Sequence, residues 1–154
     1  MDFNQSAKSK EVAQKVQQFM QQHVLPLETV LFKEVNFTNP DWKTWVVDER
    51  IETLKQKAKQ QGLWNLFLPG IGGLSNTDYA PVAEIMGQSL IAPEIFNCNA
   101  PDTGNMEVIH KYGSDEQKEK WLKPLLEGAI RSAFCMTEPD VASSDATNMQ
   151  ATIK

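Results

Sequence analysis

The sequence predicts a mainly α-helical domain that passes, near its C-terminal end, into the first strands of a β-domain. Apolar residues recur at helical spacing through most of residues 1–128. Gly62, Gly113, Gly128 and serine-led turns punctuate those runs where helices should stop and start. At Ala129 the period falls from about 3.6 to about 2, with Ile130, Ser132, Phe134 and Met136 alternating with Arg131, Ala133 and Cys135. The division expected is therefore a helical domain over 1–128 and the truncated start of a β-domain over 129–154.

Each element has its own justification. Val12, Val16, Phe19 and His23 place an amphipathic helix over Ser6 to Val24, ending before Pro26. Pro26 to Trp42 reads as an irregular connector, with Asn39-Pro40-Asp41 as its turn. Val47, Ile51, Leu54 and Ala58 face inward along 43–61, with Gly62 as the residue beyond the cap. The opposite face, with Glu49, Glu52, Lys55, Lys57 and Lys59, reads as solvated. Tyr79, Val82, Ile85 and Met86 mark another helix, for which Ser75, Asn76 or Thr77 supplies the cap. Met106, Ile109 and Tyr112 lie on a helix from about Asp102 that closes at Gly113. Ser114-Asp115-Glu116-Gln117 is a capping box opening a helix with Trp121, Leu122 and Leu125. A second alternating stretch, Met149 to Ile153, completes the pattern.

Composition narrows the function classes. A net charge of −5 with no basic stripe argues against a nucleic-acid partner. No apolar run approaches a membrane span, and MDFNQSAKSK has neither a signal-peptide core nor an arginine-rich transit character, so the chain reads as soluble and intracellular. Cys98 and Cys135 read as idle thiols in a reduced compartment. Gly70-Ile71-Gly72-Gly73 fails as a dinucleotide fingerprint, because Ser75 stands in place of the third glycine and no βαβ unit surrounds it; it reads as a loop. His23 and His110 lack a second ligand at helical spacing, so no metal site is expected and both read as partly buried or surface side chains. Trp42, Trp45, Trp64 and Trp121 read as core packing with satisfied indole N–H groups. The loop Thr137 to Asp145 follows an alternating run and offers hydroxyl and backbone donors. By chemistry alone it is either a cradle for an anion or cofactor or a plain polar turn.

Taken together, "GLW", "YAPVAEIMG", "NAPDTGNMEVIHKYGSDEQKEKWLKPLLEG" and above all "SAFCMTEPDVASSD" resemble the acyl-CoA dehydrogenases. The last block is similar to the family's first flavin-binding signature. The form "TEPDVASSD" resembles the branch of family members ten and eleven, with Ser143 where glycine is usual. The resemblance implies the N-terminal helical domain of an acyl-CoA dehydrogenase-like fold followed by the first strands of an incomplete β-barrel, the family's middle domain. It implies FAD as cofactor and oxidation of an acyl-CoA to the trans-2-enoyl-CoA, with electrons passing to an electron-transfer flavoprotein.

Residue by residue, the resemblance lays Phe134, Cys135, Met136 and Thr137 along the flavin, with Met136 and Thr137 at its pyrimidine edge. Ala142, Ser143 and Ser144 line the flavin and substrate junction, Ser144 also contacting the acyl-CoA, and Phe96 to Asn99 border the acyl-chain pocket. The catalytic glutamate belongs to a later helical bundle, so no catalytic residue is expected before Lys154, and Glu138 matches the signature rather than the base. A full-length protein of this kind is expected to be a homodimer or homotetramer, in the cytoplasm if bacterial, in mitochondrion or peroxisome if eukaryotic. The alternative is a non-catalytic helical interaction module derived from the same fold, with an exposed face free for a partner.

Overall fold

Ser6 opens the first helix by accepting a hydrogen bond from the Ser9 N–H at 3.0 Å on its Oγ, an N-cap interaction. The computed structural model of the chain describes residues 4–34, 40–72, 74–142 and 144–152. Asn39, Gly73, Ser143 and Ile153, on which expectations above rest, lie outside the described residues, as does the Trp42 side chain.

Helix α1 (Ala7–Phe19) does not stop before Pro26. It runs through a π turn, Met20–Val24, into α2 (Leu25–Glu34), where a connector was expected. The Leu25 N–H reaches back five residues to the Met20 carbonyl. That wider turn accommodates a proline ring that would collide with the carbonyl four residues earlier in a regular helix. The same device recurs later, where the Lys123 N–H bonds the Lys118 carbonyl just before Pro124.

Helix α3 (Glu49–Gln60) begins later than its periodicity suggested. Asp48 caps it through the Arg50 N–H at 2.8 Å, and Gly62 takes the left-handed conformation expected of it, φ 69°. Val47 consequently lies outside the helix and exposed, while Ile51, Leu54 and Ala58 pack inward. Helix α4 (Asn76–Met86) is capped by Ser75, whose Oγ accepts from the Asp78 N–H at 3.2 Å. A four-residue helix, α5 (Ala92–Ile95), follows Ser89 and Glu28, whose side-chain oxygens accept N–H bonds from its first turn and the residues just before it.

Helix α6 (Asp102–Tyr112) ends at Gly113 as expected. The capping box then forms in full: the Gln117 N–H donates to Ser114 Oγ at 3.2 Å and the Ser114 N–H to Gln117 Oε1 at 2.9 Å. That box opens α7 (Asp115–Gln117), which continues through the π turn Lys118–Leu122 into α8 (Lys123–Glu127).

Two apolar clusters hold these helices. One centres on Phe19, Met20, Val82, Met86, Ile95 and Phe96, where the Phe19 and Phe96 rings meet edge-on at 5.3 Å. The other gathers Phe67, Leu68, Met106, Leu122 and Leu125, and Tyr79 and Cys98 pack against both. His23 is half-buried against the edge of Phe19, and His110 is half-buried on α6.

Three expectations change. Trp64 behaves as predicted, its indole N–H donating to the Leu126 carbonyl at 2.6 Å, but Trp45 and Trp121 are largely exposed. Lys55 is not on a solvated face: it is buried, and its ammonium bonds Glu52 at 2.9 Å and Glu94 of α5 at 3.2 Å. The alternating run after Ala129 forms no strand, because among the described residues no neighbour supplies a ladder; one isolated bridge, Glu138 to Val141, is present.

Candidate functional site

Gly128 sets the direction of the segment that carries the signature. Its φ of 69° turns the chain out of α8, and a Cβ there would lie 2.8 Å from Trp64 Cζ2. The Ala129 N–H returns to the Pro124 carbonyl at 2.9 Å, closing the helix end. From there residues 131–137 run without helix or ladder, bonded to the helical domain at Arg131 and Ser132.

Their attachment is ionic. Arg131 donates from Nε to Asp102 Oδ2 and from Nη1 to Glu94 Oε2, both at 2.6 Å. Ser132 donates its N–H at 2.8 Å and its hydroxyl at 2.5 Å to Asp102 Oδ1. One turn along α6, Asn105 Nδ2 donates to Ser132 Oγ at 2.8 Å. Asp102 is thus a nearly fully buried carboxylate with three donors. Burial pushes its carboxyl up, but the bonds from Ser132 and Arg131 more than offset this and leave it below the usual carboxylate range. Burial likewise works against the charge of Arg131 and of Lys55, and in each case the paired carboxylates prevail, Asp102 and Glu94 for Arg131 and Glu52 and Glu94 for Lys55. Asp102, Glu94, Arg131 and Lys55 did not stand out in the sequence as a site. The available signals were an arginine inside an alternating apolar run and an aspartate in the first turn of a helix.

Beyond this anchor the predicted site residues are presented outward. Phe134 is 69% exposed, Cys135, Thr137, Ala142 and Ser144 are exposed, and Met136 is half-buried. They are brought onto one stretch of chain and its following loop. The loop is closed by Glu138, whose carboxylate accepts the Gln150 and Ala151 N–H groups at 3.0 Å each and is held below the usual range by them. Asp145 caps a short turn at Ala146–Asn148 through the Thr147 N–H at 3.0 Å. Both acidic side chains therefore shape the loop.

A cleft of about 410 Å³ is lined by Glu94 and Arg131 themselves, and two smaller ones lie by α6. One, of about 310 Å³, runs between α6 and residues 130–132, with Val108, Ile109, Trp121 and Ile130 as its apolar walls. The other, of about 300 Å³, is lined by Phe67, Tyr79, Cys98 and Thr103 among others. Of the stretch Phe96 to Asn99, Cys98 lines this second cleft, whereas Phe96 is fully buried in the core. Both cysteines are free thiols, and burial pushes that of Cys98 up to about 11.

The helical part of this arrangement matches a known pattern. Residues 6–129 match the model of the acyl-CoA dehydrogenase N-terminal domain. The chain belongs to the acyl-CoA dehydrogenase family. It is 57% identical over 152 residues to acyl-CoA dehydrogenase family member 11 of Gallus gallus, covering 99% of this chain and 20% of that protein. It is 54% identical to family member 10 of Mus musculus, covering 89% of this chain and 13% of that one. A solved structure from Mycobacterium abscessus, described as an acyl-CoA dehydrogenase, superposes with a TM-score of 0.85 at 55% identity, over 96% of this chain and 38% of that chain. The 154 residues thus span about a fifth or less of those two named relatives. The matched domain ends at Ala129, where the extended segment starts. Among the described residues, no helix is long and apolar enough to cross a membrane.

Proposed function

We propose that this chain contributes the flavin-facing edge of an FAD-dependent acyl-CoA dehydrogenase that oxidises an acyl-CoA thioester to the trans-2-enoyl-CoA. The observation that carries the reading is the placement of "FCMTEP". It follows the matched helical domain directly, is pinned at Arg131 and Ser132, and presents Phe134 and Thr137 to solvent. The donor set fits a flavin: no ladder occupies the N–H groups of Phe134 to Thr137 among the described residues, an apolar ring lies beside them, and a hydroxyl follows. Residues 1–128 form the helical domain in this reading, and 129–154 begin the β-domain, pairing as strands once neighbours supply a ladder.

FAD, when bound, accepts the hydride from the β-carbon of the acyl group. Phe134 and Cys135 would lie along the ring system, and the Met136 and Thr137 backbone groups with the Thr137 hydroxyl would bond its pyrimidine edge. Ala142 and Ser144 would line the junction with the acyl-CoA, Ser144 on the substrate side. Glu138 is excluded as the base, because its carboxylate is committed to two amides of its own loop. The base is therefore assigned to no residue of this chain. An electron-transfer flavoprotein is the acceptor and a dimer or tetramer the assembly.

The test is to express the complete reading frame that contains these 154 codons and to purify the product. Retained flavin, bleached anaerobically by an acyl-CoA of suitable chain length, is the expected result. A folded product that takes up no FAD and leaves acyl-CoA unchanged would sink the reading in favour of an interaction module.

A further inference from the structure

We propose that Asp102, acting with Arg131, is the positioning residue that sets where the flavin-edge segment lies; this rests on the functional reading above. The hydrogen bonds that its carboxylate accepts from Arg131 and Ser132 reach out of the helical domain to the segment beyond it. A buried carboxylate is costly, and the bonds that compensate this one come from the residues that start the signature. The anchor is broad as well. Arg131 bridges to Glu94 of α5, Glu94 also accepts from Lys55 of α3 and from Asn99 Nδ2 at 3.3 Å, and Asn105 adds a bond to Ser132. Two helices, α5 and α6, therefore bond these two consecutive residues directly, and α3 braces Glu94 through Lys55.

Those two residues sit at the base of a lever. A chain advances at most about 3.3 Å per residue, so Thr137 lies up to roughly 16 Å along the segment from Ser132. A rotation of about 10° at the anchor would carry Thr137 by up to about 3 Å over that length. A displacement of about 1 Å in a reacting geometry is enough to cost on the order of a hundredfold in rate. Arg131 and Ser132 thus convert a fixed point on α6 into a fixed position for the Met136 and Thr137 donors. In Asp102→Asn the side-chain oxygen still accepts from Ser132, while the charge holding Arg131 is lost. Asp102→Ala removes both.

Amide hydrogen exchange and flavin reduction together decide the matter. In the 154-residue chain, Asp102→Ala is expected to speed exchange at the Ser132 amide, which bonds Asp102 Oδ1, by about tenfold or more, the range set by loss of charge-assisted hydrogen bonds. The reference amides are those of Val16 and Val82, two valines fully buried in the core, and their exchange is expected to stay unchanged. Asp102→Asn falls between wild type and Asp102→Ala.

In the flavin-loaded complete polypeptide, Asp102→Ala is expected to slow flavin reduction by acyl-CoA about tenfold or more, with the acyl-CoA dissociation constant changed far less. Unchanged exchange at the Ser132 amide overturns the proposal, as does a faster Ser132 amide with an unchanged reduction rate. Parallel acceleration at Val16 and Val82 also overturns it, since Asp102 would then serve the fold at large. Should Asp102→Ala fail to fold, Asp102→Asn is read on the same two measurements. A complete polypeptide that holds no flavin overturns the functional reading and this role with it, while the exchange rates still separate an anchor from a bystander.

Discussion

Asn97→Ala tests how the end of α8 is held. Asn97 and Asn65 both have positive φ, 52° and 56°, a conformation that asparagine tolerates better than alanine. Asn97 Nδ2 donates to Asn65 Oδ1 at 2.6 Å and to the Leu125 carbonyl at 3.0 Å. Asn65 Nδ2 and Trp64 Nε1 both donate to the Leu126 carbonyl, at 2.9 and 2.6 Å, and Lys59 Nζ donates to the Glu127 carbonyl at 2.6 Å. The last carbonyls of a helix have no partner within it, so these side chains are its C-terminal cap.

Alanine at position 97 would lose both donors and leave the buried Asn65 amide oxygen without that partner, a cost of about 1–3 kcal/mol. Left-handed backbone without glycine or asparagine adds roughly 1–2 kcal/mol. The sum, about 2–5 kcal/mol, is a large fraction of the stability of an ordinary domain. Asn97→Gly separates the two contributions, because it relieves the backbone and loses the same hydrogen bonds. Urea unfolding followed by tryptophan fluorescence should rank wild type above glycine above alanine. Equal stability for alanine and glycine would refute the backbone part, and both within about 0.5 kcal/mol of wild type would refute the cap itself.

Three further outcomes are expected. Ser114→Ala removes one half of the capping box and should cost about 1 kcal/mol in the same unfolding experiment; no change would mean that the Gln117 half suffices. A thiol reagent at mildly alkaline pH should modify exposed Cys135 quickly and Cys98 slowly, since burial raises the Cys98 thiol to about 11; equal rates would contradict that burial. Asp102 has its folded-state pKa depressed, so its stabilisation is present above the unfolded carboxyl value, about 3.9, and is lost as pH falls through the lower folded value. The Ser132 amide resonance should accordingly stay fixed from neutral pH down to about 4.5 and move only below that; a midpoint above this range would show that Asp102 is not held by its donors.

Local signals were the most legible part of the sequence. The Ser114 capping box and the Ser75 cap follow from side chains within four residues of the groups they satisfy, and the left-handed Gly62 from the lack of a Cβ. Pro26 misled, because the π turn that admits it depends on hydrogen bonds that leave no mark in periodicity. Lys55 misled for a different reason: its partner Glu94 lies on another helix, and charge patterning within one helix cannot see it. The site divides the same way. "FCMTEPDVASSD" stands out as a contiguous motif, whereas the residues that fix its position, Asp102, Glu94 and Arg131, come together only in the fold.

The exposure of the signature and the burial of its anchor belong to one arrangement. A segment that presents its side chains outward gains nothing from being packed along its whole length by the helical domain. It needs a firm hold at its origin and open donors beyond. Asp102 supplies the hold through charge-assisted bonds, which are directional in a way that apolar contact is not. Glu138 then closes the loop beyond on itself by holding the Gln150 and Ala151 amides, while Phe134, Cys135 and Thr137 remain outward. An aspartate at the first turn of α6 and a glutamate within the signature thus divide the task of shaping a surface whose own residues are left available for a ligand.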